Sequence, residues 1–333
     1  MLKLSRREAP LPRATLCALR AAAIAALAVG AASAQSPSNK PLRMVAGMPP
    51  GGGADTNARR FAPIFAKIVE QTIVIDNIPG GAGNLAAQIV ASGGSDGNTL
   101  LFASHPIIAI NPLLYERLPF NPDQLTPIAL MSQTPHILLV NAALPAASVA
   151  ELVRLAKAKP GTVNFGSGGA GTSLHLAGEL LQSMAGITLV HVPYRGSGPA
   201  MTALIGNEIQ LLFDASMTSI GHIRGGRVRG IAIASLARLP AVPDLPTFNE
   251  SGLPGFEVGV GHGMLVQAAT PAARIATLNR AVNTALADAE YRKQMADLGV
   301  VLVGGTPEQF RSYLASERSK WGELIQKRGI KVD

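Results

Sequence analysis

Three glycine-rich segments are placed to hold an anion without any cationic side chain. Pro49-Pro50-Gly51-Gly52-Gly53-Ala54-Asp55 follows one short apolar run, Pro79-Gly80-Gly81-Ala82-Gly83-Asn84 follows the next, and Gly166-Ser167-Gly168-Gly169-Ala170-Gly171-Thr172-Ser173 follows a third in mid-chain. Each precedes a helix-periodic stretch. A turn that opens a helix leaves backbone amides without internal partners, and the helix dipole adds partial positive charge there. Glycine lets a ligand approach that backbone closely, so such turns hold carboxylates or phosphates. Tight turning alone explains any single loop of this kind. The recurrence of the first and third in two similar half-chains points instead to ligand binding. Asp214 and Ser104 each stand at the end of an apolar run, where a cleft residue of an open α/β sheet lies. Asp214 either accepts from a ligand amine or hydroxyl or caps the helix that follows. His175 lies one turn beyond the third loop, at the cleft mouth or on the surface.

Motifs that would make the chain an enzyme fail on context. Gly166 to Gly171 spells G-x-G-x-x-G, but the acid that a dinucleotide fold needs about 20 residues on is missing, since His191-Val192-Pro193-Tyr194-Arg195 stands there. Gly93-Gly94-Ser95-Asp96-Gly97 spells G-x-S-x-G, yet it follows a helix and opens a strand, the reverse of a nucleophile elbow. The six histidines, 105, 136, 175, 191, 222 and 262, show no zinc spacing with acids. No metal and no cofactor is expected. The single cysteine, Cys17, falls in the N-terminal leader, which removes disulfides and thiol chemistry from the rest.

The elements that must position these residues alternate. Strands are expected at 42–45, 73–78, 99–103, 128–131, 137–140, 163–165, 188–191, 209–213, 231–234, 264–266 and 300–303. Helices are expected at 55–70, 85–91, 149–159, 174–185, 200–205, 218–225, 272–287, 289–298 and 307–328. Pro271 and Pro307 suit a first helical turn, with Thr270 and Thr306 before them as caps. Alternation of this kind predicts an α/β protein with mostly parallel sheets flanked by helices.

The leader reads as a secretory signal. Five cationic residues precede the uncharged run 21–32, and Ala32-Ser33-Ala34 offers the cleavage pattern, with cutting after Ala34. The run is too short to span a bilayer. The remaining 299 residues carry 24 basic and 20 acidic side chains, a net charge of +4. That mild charge calls for no nucleic-acid partner and gently favours anionic ligands. No later stretch is long and apolar enough to be membrane-embedded.

The ordered motifs resemble the Bug-type extracytoplasmic solute receptors, the TctC-like binding proteins of tripartite tricarboxylate transporters. The markers span the mature chain: Pro41-Leu42-Arg43, Pro49-Pro50-Gly51-Gly52, Ala58-Arg59, the run from Asp76 to Asn84, Asp96 to Leu101, Asn111 to Tyr115, Gly166 to Thr172 with His175-Leu176-Ala177, His191 to Gly196, and Val242 to Thr247. The resemblance implies a two-lobed, type II periplasmic (Venus-flytrap) fold, with residues 35–140 and 262–333 in one lobe and 141–261 in the other. It implies a monomeric periplasmic receptor, not an enzyme, that holds a small carboxylate through backbone amides and ordered water and delivers it to membrane permease subunits. Presenting the closed form to a signalling partner is the alternative; an unrecognised enzyme is a more distant one. Carried over, the ligand contacts are Met48, Gly51, Gly52, Asp55, Ser104, Ser167, Gly168, Gly169, Thr172, His175 and Asp214. Two departures stand out. Gly47-Met48 replaces the aromatic usual before the first loop. The stretch from Val260 to Met264 lacks the tryptophan usual there, and the only one is Trp321.

Overall fold

The computed structural model describes residues 40–51 and 53–332. The expected export signal and Gly52 lie outside the described residues. The chain runs β1 (Leu42–Ala46), α1 (Gly53–Val69), β2 (Ile73–Asn77), α2 (Asn84–Ala91), β3 (Thr99–Ser104), α3 (His105–Ala109), α4 (Asn111–Leu114), β4 (Leu125–Val140), α5 (Val149–Ala158), β5 (Asn164–Ser167), α6 (Ser173–Ala185), β6 (Val190–Pro193), α7 (Ser197–Ile205), β7 (Leu211–Ala215), α8 (Ser216–Arg224), β8 (Arg229–Ile233), β9 (Gly259–Gln267), α9 (Ala272–Leu286), α10 (Ala289–Asp297), β10 (Val301–Gly304) and α11 (Pro307–Arg328).

The strands join in the order β2-β1-β3-β9-β4-β7-β5-β6, with β8 and β10 also on β4. Pairings among β1, β2 and β3 and among β5, β6 and β7 are parallel, as strand–helix alternation predicts. The strands that carry the chain between the two halves run antiparallel. β4 was expected as two short strands around Pro135, but it is one strand of 16 residues. From Leu125 to Pro135 it pairs with β9, and from His136 to Val140 it pairs with β7 and β8. Proline lacks a ladder donor, so it is tolerated where a strand changes partners. The apparent break in the sequence is therefore the junction of the two halves.

Period-two alternation sends successive residues to opposite faces. Leu42 and Met44 of β1, and Leu100 and Phe102 of β3, pack with Phe61 and Phe65 of α1 and with Leu278 and Val282 of α9. Ile137 and Leu139 of β4 join Ala200 and Leu204 of α7 and Ile220 of α8. The other face of both halves is one continuous cluster that includes Val45, Leu101, Leu138, Phe165, Phe213 and Trp321. α11 closes that cluster. Its capping box is complete, with Thr306 and Gln309 each bonding the other's backbone amide, and Gly329 ends it in the left-handed conformation. Gly263 of β9 admits this helix, because a Cβ there would lie 2.2 Å from the Phe310 ring.

Candidate functional site

A cavity of about 200 Å³ lies at the junction of the two halves. Ala54 and Asn57 of α1 line it from the first half. Leu174 of α6, Ser197 of α7, and Met217 and Thr218 of α8 line it from the second. The strands contribute Thr134 and His136 of β4, Asp214 and Ala215 of β7, and Val260 and His262 of β9. Four helices thus present their first or second turn to one space, and no Lys or Arg is among its lining residues. α7 and α8 begin at Gly196 and Ala215 without a side-chain cap. Amides at an uncapped helix start, reinforced by the dipole, are ready acceptor sites for an anion. Larger hollows exist, such as one of about 1000 Å³ between Leu113 to Arg117 and the end of α11. That one belongs to a single half, whereas another of about 280 Å³ takes residues from both halves, Ala234 to Pro240 and Tyr313 to Lys320 among them, but no helix start opens into it.

The described glycines of the three glycine-rich turns are not among the lining residues. The amide of Gly51 donates to Asp55 Oδ2 at 2.9 Å. Arg59 Nε also donates to that oxygen (2.8 Å), and Asn77 Nδ2 donates to Oδ1 (2.9 Å). Burial opposes the Asp55 charge, but these hydrogen bonds outweigh it and hold the carboxyl below its ordinary range. Asp55 therefore organises the first loop and is already fully engaged. Met48 packs against the core, and its carbonyl accepts from Asn77. The second loop packs behind the first: a Cβ on Gly47 would lie 2.9 Å from Gly83 Cα. That close approach is the physical reason for glycine at 47, beside Met48 where an aromatic is usual.

The third loop is likewise folded on itself. Ser167 Oγ accepts from the Gly169 amide (3.0 Å) and meets His191 Nε2 at 2.6 Å. The Gly171 amide donates to His175 Nδ1 at 3.1 Å. Thr172 caps α6 through the His175 amide and donates to the Gly169 carbonyl. Gly168 sits against the backbone of Gly196, which links the third loop to the start of α7. His175 stacks on His191 at 3.9 Å and faces Glu179, itself bonded by Arg328, so it looks toward the end of α11 and not into the cavity. Ser104 ends β3 opposite His262. Of the sequence-derived candidates among the described residues, only Asp214 lines the cavity. The described glycine-turn residues position the helices that form it.

Sequence reasoning missed Asn57, Thr134, His136, Leu174, Ser197, Met217, Thr218, Val260 and His262. One signal was available: Gly196-Ser197-Gly198 is a fourth glycine-containing turn after a strand. One helix start was also set too late. α7 begins at Ser197, not near residue 200.

The buried titratable groups share one cause. Burial lowers His136 to about 3 and His262 to about 4, each with a smaller push from His105. Burial raises Asp214 to about 6, partly offset by hydrogen bonds from Thr218, Ala215 and Ser219. The signs predict acid lability. As pH falls from about 6.5 to about 4, the unfolded chain protonates histidines that the fold keeps neutral, so stability is lost. Asp214 acts oppositely between about 6 and 4, but two groups outweigh one. The net loss is on the order of a few kcal/mol. Calorimetry should show the melting temperature falling from pH 7 to pH 4.5, with a shallower fall in His262→Gln. A flat profile would contradict neutral burial of these rings. Among the described residues, no group of three or more His, Cys, Asp or Glu is arranged to hold a metal ion, and no helix is long and apolar enough to cross a membrane.

Comparison with known proteins places this geometry among relatives. The family described as tripartite tricarboxylate transporter family receptor matches residues 57–330. Protein BugT of Bordetella pertussis is 31% identical over 295 residues, covering 88% of this chain and 90% of its own. The solved structure of Rpa4515 from R. palustris with adipate superposes with a TM-score of 0.80 at 29% identity, covering 88% of this chain and 99% of that one. MatC from Rhodopseudomonas palustris with bound malate superposes with a TM-score of 0.74 at 31% identity, covering 86% and 98%.

Proposed function

Because the chain belongs to the tripartite tricarboxylate transporter receptor family, and is thus a solute-binding receptor and not an enzyme, we propose that it captures a small carboxylate in the cavity at the junction of its halves. The supporting observation is the convergence of α1, α6, α7 and α8 on a space whose walls come from both halves and lack Lys and Arg. The ligand carboxylate lies at the uncapped start of α7, beside Ser197, where backbone amides and ordered water hold it. This revises the expected contacts, because the amides of Gly51, Gly169 and Gly171 are already used internally. Those residues, with Met48, Asp55, Gly168, Thr172 and Ser167, act as the frame. The relatives with bound adipate and malate support a carboxylate ligand.

The lobes are residues 35–140 with 262–333, and 141–261, with the crossings carried by β4 and β9. The change of partners in β4 at Pro135 and His136 supports that division. A ligand touching both lobes stabilises the closed state, because only that state offers all its contacts. The closed monomer then docks on membrane permease subunits in the periplasm, after export and cleavage behind Ala34.

Native mass spectrometry of freshly purified protein and a thermal-shift screen of carboxylates test this reading. A ligand at a hundredfold excess over its Kd adds about 2.7 kcal/mol to the native state. The expected result is a retained carboxylate and a melting temperature raised by several degrees. No retained carboxylate and no shift with any carboxylate would sink the receptor reading.

A further inference from the structure

We propose that Asp214 makes the cavity selective for a carboxylate that also carries a hydrogen-bond donor, a hydroxyl or an ammonium, directed away from α7 toward Asp214. The inference rests on the receptor reading and narrows its ligand class.

Asp214 stands at the end of β7, buried, in the wall of the cavity. Its partners are two hydroxyls of the next helix, Thr218 Oγ1 at 2.7 Å and Ser219 Oγ at 3.4 Å, both on Oδ2, and the backbone amide of Ala215. Both hydroxyls also reach the carbonyl of Ala215, at 2.9 and 2.8 Å, so neither depends on Asp214. Among the described residues no salt bridge is formed by Asp214, and the cavity lining has no Lys or Arg. A buried carboxyl without a cation is costly, and natural sites retain one where a partner satisfies it.

The titratable groups that share the wall are His136 of β4 and His262 of β9, both kept neutral by burial. The charged pair of α1, Asp55 with Arg59, is outside the wall, and His175 and Glu179 of α6 face the end of α11. Neither helix has an acid in its first turn, but Asp214 stands just before the N-cap of α8 and accepts from the Ala215 amide and from Thr218, whereas α7 follows Gly196 with no such carboxylate. A ligand anion belongs at α7. Whatever faces Asp214 gains by donating and loses by bringing a second negative charge.

Matched pairs of small acids isolate this effect. Malate should bind at least about tenfold tighter than succinate, and lactate or alanine about tenfold tighter than propionate, by calorimetry at pH 7.5. Asp214→Leu, similar in shape and without an acceptor, should erase both advantages. Asp214→Asn should keep the advantage of lactate and lose that of alanine, which separates a hydroxyl from an ammonium ligand. In the unmodified protein the donor-dependent advantage should shrink as pH drops below about 6, where the carboxyl takes up its own proton. This second readout needs no variant to fold.

Succinate binding as tightly as malate, together with unchanged ratios in Asp214→Leu, would overturn the proposal and leave the receptor reading standing. If none of the five acids binds, the molecule retained in native mass spectrometry decides. A carboxylate without a hydroxyl or ammonium overturns the inference, and one that has either supports it. The absence of any carboxylate counts against the receptor reading itself.

Discussion

Ala54→Trp should weaken binding of the carboxylate that best stabilises the unmodified protein by at least about a hundredfold, ~2.7 kcal/mol, while the ligand-free fold melts unchanged. Ala54 is the second residue of α1 and lines the cavity while remaining partly exposed. An indole there occupies much of a space of about 200 Å³. It also fills the space into which the starts of α6, α7 and α8 face. The residues that anchor α1, Phe61 and Phe65, lie on its buried face and are untouched. Surface changes away from such anchors usually stay within about 0.5 kcal/mol of the parent. Titration calorimetry and differential scanning calorimetry on the same preparation separate the two effects. Undiminished affinity would move the ligand out of this cavity.

Trp321→Ala should cost about 3–5 kcal/mol of stability, the usual penalty for emptying a large aromatic site. Trp321 is 1% exposed and lies in the cluster that both halves share. Its indole donates to Glu317 Oε2 at 2.8 Å. Glu317 also faces His105 Nε2 at 3.2 Å, and His105 Nδ1 accepts from the Gly261 amide at 2.9 Å. Removing the indole therefore opens a void and loosens a chain of contacts that ends on β9, one of the two crossing strands. A loss of this size should lower the melting temperature by roughly 6–15 °C. Trp321 is the only tryptophan, so circular dichroism or calorimetry must replace fluorescence. Trp321→Phe should cost much less, because it keeps most of the buried area. A loss below about 1 kcal/mol for the alanine variant would show that α11 does not close the shared core.

Both predictions depend on features the sequence revealed unevenly. The strands of both halves were legible because their apolar runs are short, branched and bounded by Gly or Pro. The start of α11 was legible because Thr306 and Pro307 are local signals, read within one turn of the chain. β4 was not legible as one strand. Pro135 looks like a terminator in sequence, and only the exchange of partners from β9 to β7 and β8 makes it tolerable there.

The candidate site divides in the same way. The residues alone determined an α/β chain with helix starts after its strands and a family resemblance, and they raised the expectation of anion binding by backbone amides. Those properties depend on neighbours within a few residues. Tertiary structure alone decided which amides stay available. Asp55 and Ser167 use up the amides of Gly51 and Gly169, whereas α7 and α8 open without side-chain caps into the cavity. It also brought Asn57, His136 and His262 to the same space from positions about 80 and 126 residues apart along the chain. Such meetings are fixed by sheet register and helix packing over long separations, which no local pattern of residue types encodes.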